Sequence, residues 1–277
     1  MFTKNEKNIV IALGFLAISS IALAYISIPS SALEVHYLDV GQGDAIFIQT
    51  PEHYQIIIDG GAQNSLALRG VSKIVPFYDR SIDLVIATHL DADHIGGLLL
   101  ILEEFDVQAV LVSQDVANSP LSERFFEIID EQEIKLIKIV VGDKLVFDNG
   151  IELNFISPML DYEYFSDNDS SIVAKLVYKN DSFLFTGDIE KRSEIMLAQN
   201  VDISAEVLKV AHHGSKTSSN DYFLDRVNPK LAVIQVGENS YGHPHASVLK
   251  RFKNRGIEIL RNDQNGVISI YSYGNSI

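Results

Sequence analysis

Apolar and polar positions divide the chain into an uncharged stretch, Ile9 to Ile28, and a patterned remainder that begins at Leu33. Leu33-Glu34-Val35-His36-Tyr37-Leu38-Asp39-Val40 alternates apolar and polar residues, the period of a half-buried strand. Ile46–Gln49, Tyr54–Ile58 and Leu84–Ala87 follow as short β-branched runs, each bounded by turn residues, and read as further strands. A helix is predicted within Leu66–Phe77, closed by Pro76, and others over Leu98–Glu104 and Ser122–Glu131, the last with Phe125, Phe126 and Ile129 on its apolar face. Ala109–Ser113 reads as a strand. Ile134–Val141, Lys144–Phe147 and Ile151–Ser157 read as strands of a second sheet, with Asp148-Asn149-Gly150 as a hairpin turn. Strands are predicted again at Ser171–Tyr178, Ser182–Phe185, Ala205–Ala211, Leu231–Val236, Ile257–Leu260 and Gly266–Tyr273, with helices at Glu190–Gln199 and Ser247–Asn254. Strands interleaved with helices in this way define an α/β fold.

Chemistry-bearing residues gather where strands run out. After the strand ending at Ala87 comes Thr88-His89-Leu90-Asp91-Ala92-Asp93-His94-Ile95-Gly96-Gly97. In an extended loop His89 and Asp91 alternate to one side, and Asp93 and His94 turn to a second position. Buried and unpaired, two imidazoles and two carboxylates would be costly, and a divalent ion removes that cost. Gly96 and Gly97 let the backbone run close to such a centre. The pattern recurs at Asp188, at His212-His213 and at His243-Pro244-His245. Two further glycine–acid turns, Gly41-Gln42-Gly43-Asp44 and Asp59-Gly60-Gly61, also follow strands. Asp44 reads first as ordinary turn chemistry, and Asp59 fits a turn or a site equally well.

The loop at His89–His94 resembles the His-x-His-x-Asp-His signature of the metallo-β-lactamase superfamily, with Asp91 where a second His is usual. With Asp39–Ala45, Asp59-Gly60-Gly61, Thr186-Gly187-Asp188, Val210–Ser215 and Tyr241–His245, the chain is most similar to the nuclease-like domain of ComEC-type DNA-uptake competence proteins. The resemblance covers nearly all of residues 33–275. It implies an αββα sandwich holding two divalent ions, Zn²⁺ or Mn²⁺ with Mg²⁺ as a third choice. His89 and Asp91 would hold one ion, Asp93 and His94 the other; Asp188 would bridge, and His213 or His212 would complete the second site. The family's further His on a middle strand has no counterpart here, where Asn168, Asp169 and Ser170 stand instead. Such an oxygen-rich site shifts preference away from Zn²⁺ toward Mn²⁺ or Mg²⁺. The implied reaction is phosphodiester hydrolysis by a two-metal-activated hydroxide. Asp93 is then central to catalysis, and His243 or His245 would assist the leaving oxygen or grip the phosphate. Lys216, Asn168 and Ser215 are candidates for contacting substrate.

Composition adjusts this picture. The net charge of -15 makes a poor general surface for a polyanion, so DNA binding would rest on the ions or on a basic partner such as a competence-channel component. The chain has no Cys, which removes thiolate ligands and disulfides and suits an exported protein. Ile9–Ile28, preceded by Lys4 and Lys7, is long enough to span a bilayer and would place the remainder outside the cell. The rival reading is a signal peptide cleaved near Ser30-Ser31-Ala32. Residues 1–32 thus form a cytoplasmic stub, anchor and linker, and residues 33–277 the hydrolase domain. Two other functions compete. One is a cell-surface phosphodiesterase acting on cell-wall polymers or choline-type esters, with Tyr162, Tyr164 or Phe165 as an aromatic cage. The other is a scaffold that has lost its metal.

Overall fold

The computed structural model describes residues 13–14, 32–113, 116–117, 119–159, 166 and 168–277. The anchor expected at residues 9–28 lies outside the described residues but for Leu13 and Gly14, and the aromatic residues Tyr162, Tyr164 and Phe165 lie wholly outside them. Among the described residues no helix is long and apolar enough to cross a membrane.

Two seven-stranded sheets face each other. In spatial order the first comprises β14 (Ile268–Ser272), β1 (Leu33–Tyr37), β2 (Ile46–Gln49), β3 (Gln55–Ile58), β4 (Ser81–Ala87), β5 (Asp106–Val112) and β6 (Lys135–Lys138). The second comprises β13 (Glu258–Arg261), β12 (Leu231–Ile234), β11 (Val207–Lys209), β10 (Asp181–Phe185), β9 (Val173–Tyr178), β8 (Glu152–Ser157) and β7 (Lys144–Val146). Period-two alternation sorts each central strand between two cores. Ile56, Ile58, Leu84 and Ile86 meet Phe183 and Phe185 between the sheets. Ile57, Val85 and Ala87 point outward beneath α1 (Leu66–Ile74), α2 (Ala92–Ile95), α3 (Leu98–Glu104) and α4 (Pro120–Glu131). Leu184 and Leu208 point to the opposite outer core, under α5 (Lys191–Asn200), α6 (Asp221–Val227) and α7 (Ala246–Asn254). Strands buried on both faces must be continuously apolar, as these are. The result is the αββα sandwich.

Three local expectations change. β6 pairs in parallel with β5 at the edge of the first sheet, not in the second. The amphipathic α4 between them is a crossover, which returns the chain parallel to where it left. On α4, Phe125, Ile128 and Ile129 are buried and Phe126 is only partly so, since the helical repeat groups the i, i+3 and i+4 positions. The loop after β4 is not extended throughout: Ala92–Ile95 closes a helical turn in which His94 N–H donates to Asp91 O at 3.0 Å.

Glycines bring separate strand ends together. A Cβ on Gly97 would collide with Gly60 O, so Gly96-Gly97 fits this loop against the end of β3. Gly43, at φ +127°, leaves no room between the β1–β2 turn and Asp93, whose carbonyl oxygen an added Cβ would strike. Gly43→Ala is expected to cost roughly 2–3 kcal/mol through strain and displacement. Urea unfolding monitored by circular dichroism measures it; an unchanged midpoint would contradict the close approach.

Candidate metal centre

Adjacent strand ends converge on one edge of the sandwich. The β1–β2 turn supplies Asp44, β3 runs out into Asp59, and β4 into His89, Asp91, Asp93 and His94. The second sheet contributes Asp188 after β10, Lys209 and His213 at and after β11, and Gln235 after β12. Asp44, Asp59, His89, His94, Asp188, Lys209 and His213 are all buried.

The imidazoles are oriented by what their Nδ1 atoms meet. His94 Nδ1 lies 2.8 Å from Asp59 Oδ2. His213 Nδ1 lies 2.9 Å from Gln235 O and 3.3 Å from Asp44 Oδ1. Each Nδ1 faces an acceptor and so carries the proton, which leaves the Nε2 lone pair free for a cation. His89 Nδ1 rests on the hydroxyls of Thr88 at 3.1 Å and Ser171 at 3.4 Å. Asp59 fixes Thr88 in turn, accepting from its backbone N–H at 2.8 Å and its hydroxyl at 2.7 Å.

The Nε2 atoms of His89, His94 and His213 are buried without a hydrogen-bond partner, as is Asp188 Oδ1. Asp188 Oδ2 stands 3.3 Å from His94 Nε2 and 3.4 Å from His213 Nε2. Asp93 Oδ2 is 3.3 Å from His213 Nε2. Ligand atoms of His89, His94 and Asp188, and of Asp93, His94 and His213, fall within 4.8 Å of one another. Unpartnered nitrogen and carboxylate oxygen at this spacing fit divalent cations. Asp91, with its side chain 45% exposed, borders the cluster, 3.6 Å from His89 Nε2.

Electrostatics agree with a cation-shaped site. Burial alone would lower the His213 pKa, but Asp188 and Asp44 outweigh it and push it up to about 10. Burial likewise opposes the carboxylates Asp188 and Asp59 at His94, and they prevail, raising its pKa well above the usual value. At Asp188 burial is overcome by His213 and His94, which hold the carboxyl far below the ordinary range. Protons and divalent ions therefore compete for one set of atoms.

Other expected site residues separate. His213 is in the cluster, while His212 Nδ1 turns to Glu190 Oε1 at 3.4 Å and its Nε2 stays 3.9 Å from Asp188 Oδ2. Both residues have left-handed backbone, at φ 51° and 52°, the kind of strain that collects at functional sites. His243 lines a cavity of about 400 Å³ with Gln42, Asp93, Asp188, His213 and Tyr241. His245 instead caps α7, its Nδ1 accepting from Ser247 N at 3.3 Å. Ser215 Oγ is spent on Thr217, and neither Asn168 nor exposed Lys216 lines the cavity. Asp44 and Lys209 are residues that sequence reasoning left out of the site, and Asp59 is one that it divided evenly between turn and site. Asp-Gly-Gly directly after three consecutive Ile residues is the signal for Asp59, and a Lys inside the apolar run Val207-Leu208-Lys209-Val210 the signal for Lys209.

The fold and this cluster define a class: residues 38–238 match the metallo-beta-lactamase superfamily, and the chain belongs to that superfamily of metal-dependent hydrolases. Within it the chain is related to competence proteins. It is 33% identical over 267 residues to ComE operon protein 3 of Bacillus subtilis, covering 90% of this chain and 34% of that one. To competence protein ComA of Neisseria gonorrhoeae it is 27% identical over 246 residues, covering 87% and 33%. The chain thus spans about a third of the length of these relatives. The metallo-beta-lactamase fold protein YhfI of Bacillus subtilis shares the fold, with a TM-score of 0.59 at 13% identity, over 87% of this chain and 100% of that one.

Proposed function

We propose that the protein is a phosphodiesterase that uses two divalent cations, Mn²⁺ or Zn²⁺ before Mg²⁺, and acts outside the cell while anchored through residues 9–28. The carrying observation is the convergence of three partnerless Nε2 atoms and Asp188 at the end of the sandwich. Asp93, His94, His213 and Asp188 would hold one cation, and His89 with Asp188 and Asp91 the other. Bound there, the ions supply charge for phosphoryl oxygens and acidify water. Asp44, Asp59 and Gln235 keep the imidazoles aimed. A second cavity of about 690 Å³, lined by Leu90, Leu99, Pro120 and Leu121, meets the first at Gln63, Asp91 and Ala92. Two adjoining cavities suit a diester, which carries a substituent on each side of phosphorus. Burial, with His212 and His213 nearby, lowers the His243 pKa. That ring is neutral near pH 7 and serves to hydrogen-bond the phosphate more readily than to protonate a leaving oxygen.

The competence relatives favour DNA during uptake as the substrate, with a channel-forming protein as partner. The net charge of -15 favours a second class, the choline-type esters. Protein stripped with EDTA and reloaded with Mn²⁺, Zn²⁺ or Mg²⁺ is expected to hydrolyse bis(p-nitrophenyl) phosphate only when loaded. Single-stranded oligonucleotide and p-nitrophenylphosphorylcholine then separate the substrate classes. Folded protein that neither binds nor turns over with any of these ions would leave only the scaffold reading.

A further inference from the structure

Lys209 has no part in the reaction proposed above, yet it is the one ammonium among the described residues that reaches the cluster. It ends β11 with its side chain 1% exposed. Its Nζ donates to Gly187 O at 2.9 Å, forms an ion pair with Asp44 from the opposite sheet, and lies 3.6 Å from Asp188 Oδ1. Asp188 is thereby divided: Oδ1 faces the ammonium, and Oδ2 faces the Nε2 atoms of His94 and His213. Asp44 is divided as well, with Oδ2 on Lys209 and Oδ1 on His213 Nδ1. The lysine takes no imidazole-side position. It touches the carboxylates from behind.

A buried ammonium is costly unless paired, and a buried carboxylate cluster is costly unless neutralised. Asp44, Asp59, Asp91, Asp93 and Asp188 bring five carboxylates to this edge of the sandwich, three of them buried. Lys209 offsets one, and the remainder equals the charge of two divalent ions. We propose that Lys209 is a built-in counter-cation. It lets the carboxylate cluster fold before any ion arrives, and it weakens ion binding because a cation on Asp188 Oδ2 must share that carboxyl group with the ammonium on Oδ1. The inference rests on the cation-binding reading of the site.

The test uses the full chain, stripped with EDTA, with Mn²⁺ alone as the probe. Lys209→Met keeps the length of the side chain and removes its charge. Calorimetric titration is expected to give Mn²⁺ affinity at least tenfold tighter than wild type. Thermal unfolding is expected at a lower temperature for the stripped variant, with most of the deficit recovered in saturating Mn²⁺. A packing role would lower both unfolding temperatures alike. Affinity unchanged or weakened, or an equal deficit with and without Mn²⁺, would overturn the inference. Should Lys209→Met not fold when stripped, it is purified with Mn²⁺ bound and titrated with EDTA beside wild type. Lys209→Met is then expected to release Mn²⁺ only at an EDTA concentration at least tenfold higher, and release at the same or a lower concentration would overturn the inference. Wild-type protein that binds no Mn²⁺ would remove the cation reading itself, a failure separate from any difference between variants.

Discussion

Asp188→Asn is expected to lower cation-supported hydrolysis by about 10³-fold, the equivalent of about 4 kcal/mol of charge stabilisation. The substitution preserves shape and removes charge at the atom where the site converges, Oδ2, between His94 Nε2 at 3.3 Å and His213 Nε2 at 3.4 Å. Asn can offer one oxygen to a cation, but its amide –NH₂ would then have to replace the carboxylate oxygen that faces Lys209 at 3.6 Å, setting a donor against a donor. Both halves of the exchange are unfavourable. Steady-state kinetics on bis(p-nitrophenyl) phosphate across a Mn²⁺ series measure the loss. If saturating Mn²⁺ restores wild-type kcat, Asp188 contributes only affinity; if activity is unchanged at limiting Mn²⁺, it is not a ligand at all.

The second large effect concerns stability. Glu194 on α5 is fully buried, and its carboxylate accepts from the backbone N–H of Ser219, from Asn220 N at 2.9 Å and from the Asn220 amide at 2.6 Å. Arg251 closes the same loop through the carbonyls of Ser218 and Ser219, at 3.0 and 3.1 Å. Burial pushes the Glu194 carboxyl up to about 7 from 4.5, against the pull of those donors. The folded protein therefore keeps this proton over a range where the unfolded chain has lost it, and stability falls as pH rises from 4.5 to about 7. The gap corresponds to about 3 kcal/mol. Glu194→Gln cannot lose the proton. Relative to wild type it is expected to gain about that amount between about pH 4.5 and pH 8, measured as the difference in urea unfolding free energy at each pH. A difference that stays flat with pH would mean that the three donors keep Glu194 ionised throughout.

Much of the sandwich was legible because its strands are buried on both sides. Ile56-Ile57-Ile58 and Leu84-Val85-Ile86-Ala87 leave no polar face to misplace, and the period of two assigns each residue to a core. β6 was misplaced because Lys135-Leu136-Ile137-Lys138 lies at an edge, exposed or half-exposed throughout, and carries no signal of which sheet it joins. The gathering of His and Asp residues just after strand ends was legible from spacing alone. What the spacing could not convey was which of two adjacent groups turns inward: His213 enters the cluster and His212 leaves it through backbone at φ 51° and 52° that no pattern announces. Asp44 was obscure for a different reason. Its partners, Lys209 and His213, come from the other sheet.

The first and last strands bear on how this unit can be joined to others. β1 and β14 run side by side and antiparallel, with Leu33 opposite Ser272, so the first strand begins and the last strand ends at neighbouring points about 5 Å apart. Both points lie at the start of β1, whereas Asp44 and the buried His and Asp cluster gather beyond its far end. A unit with paired entry and exit can be spliced into a longer polypeptide as a cassette, without prising apart whatever surrounds it. Residues 273–277 continue to the second sheet, where Gly274 N–H and Ser276 N–H donate to Asp181, so the edge that carries the candidate site stays clear of both strand ends.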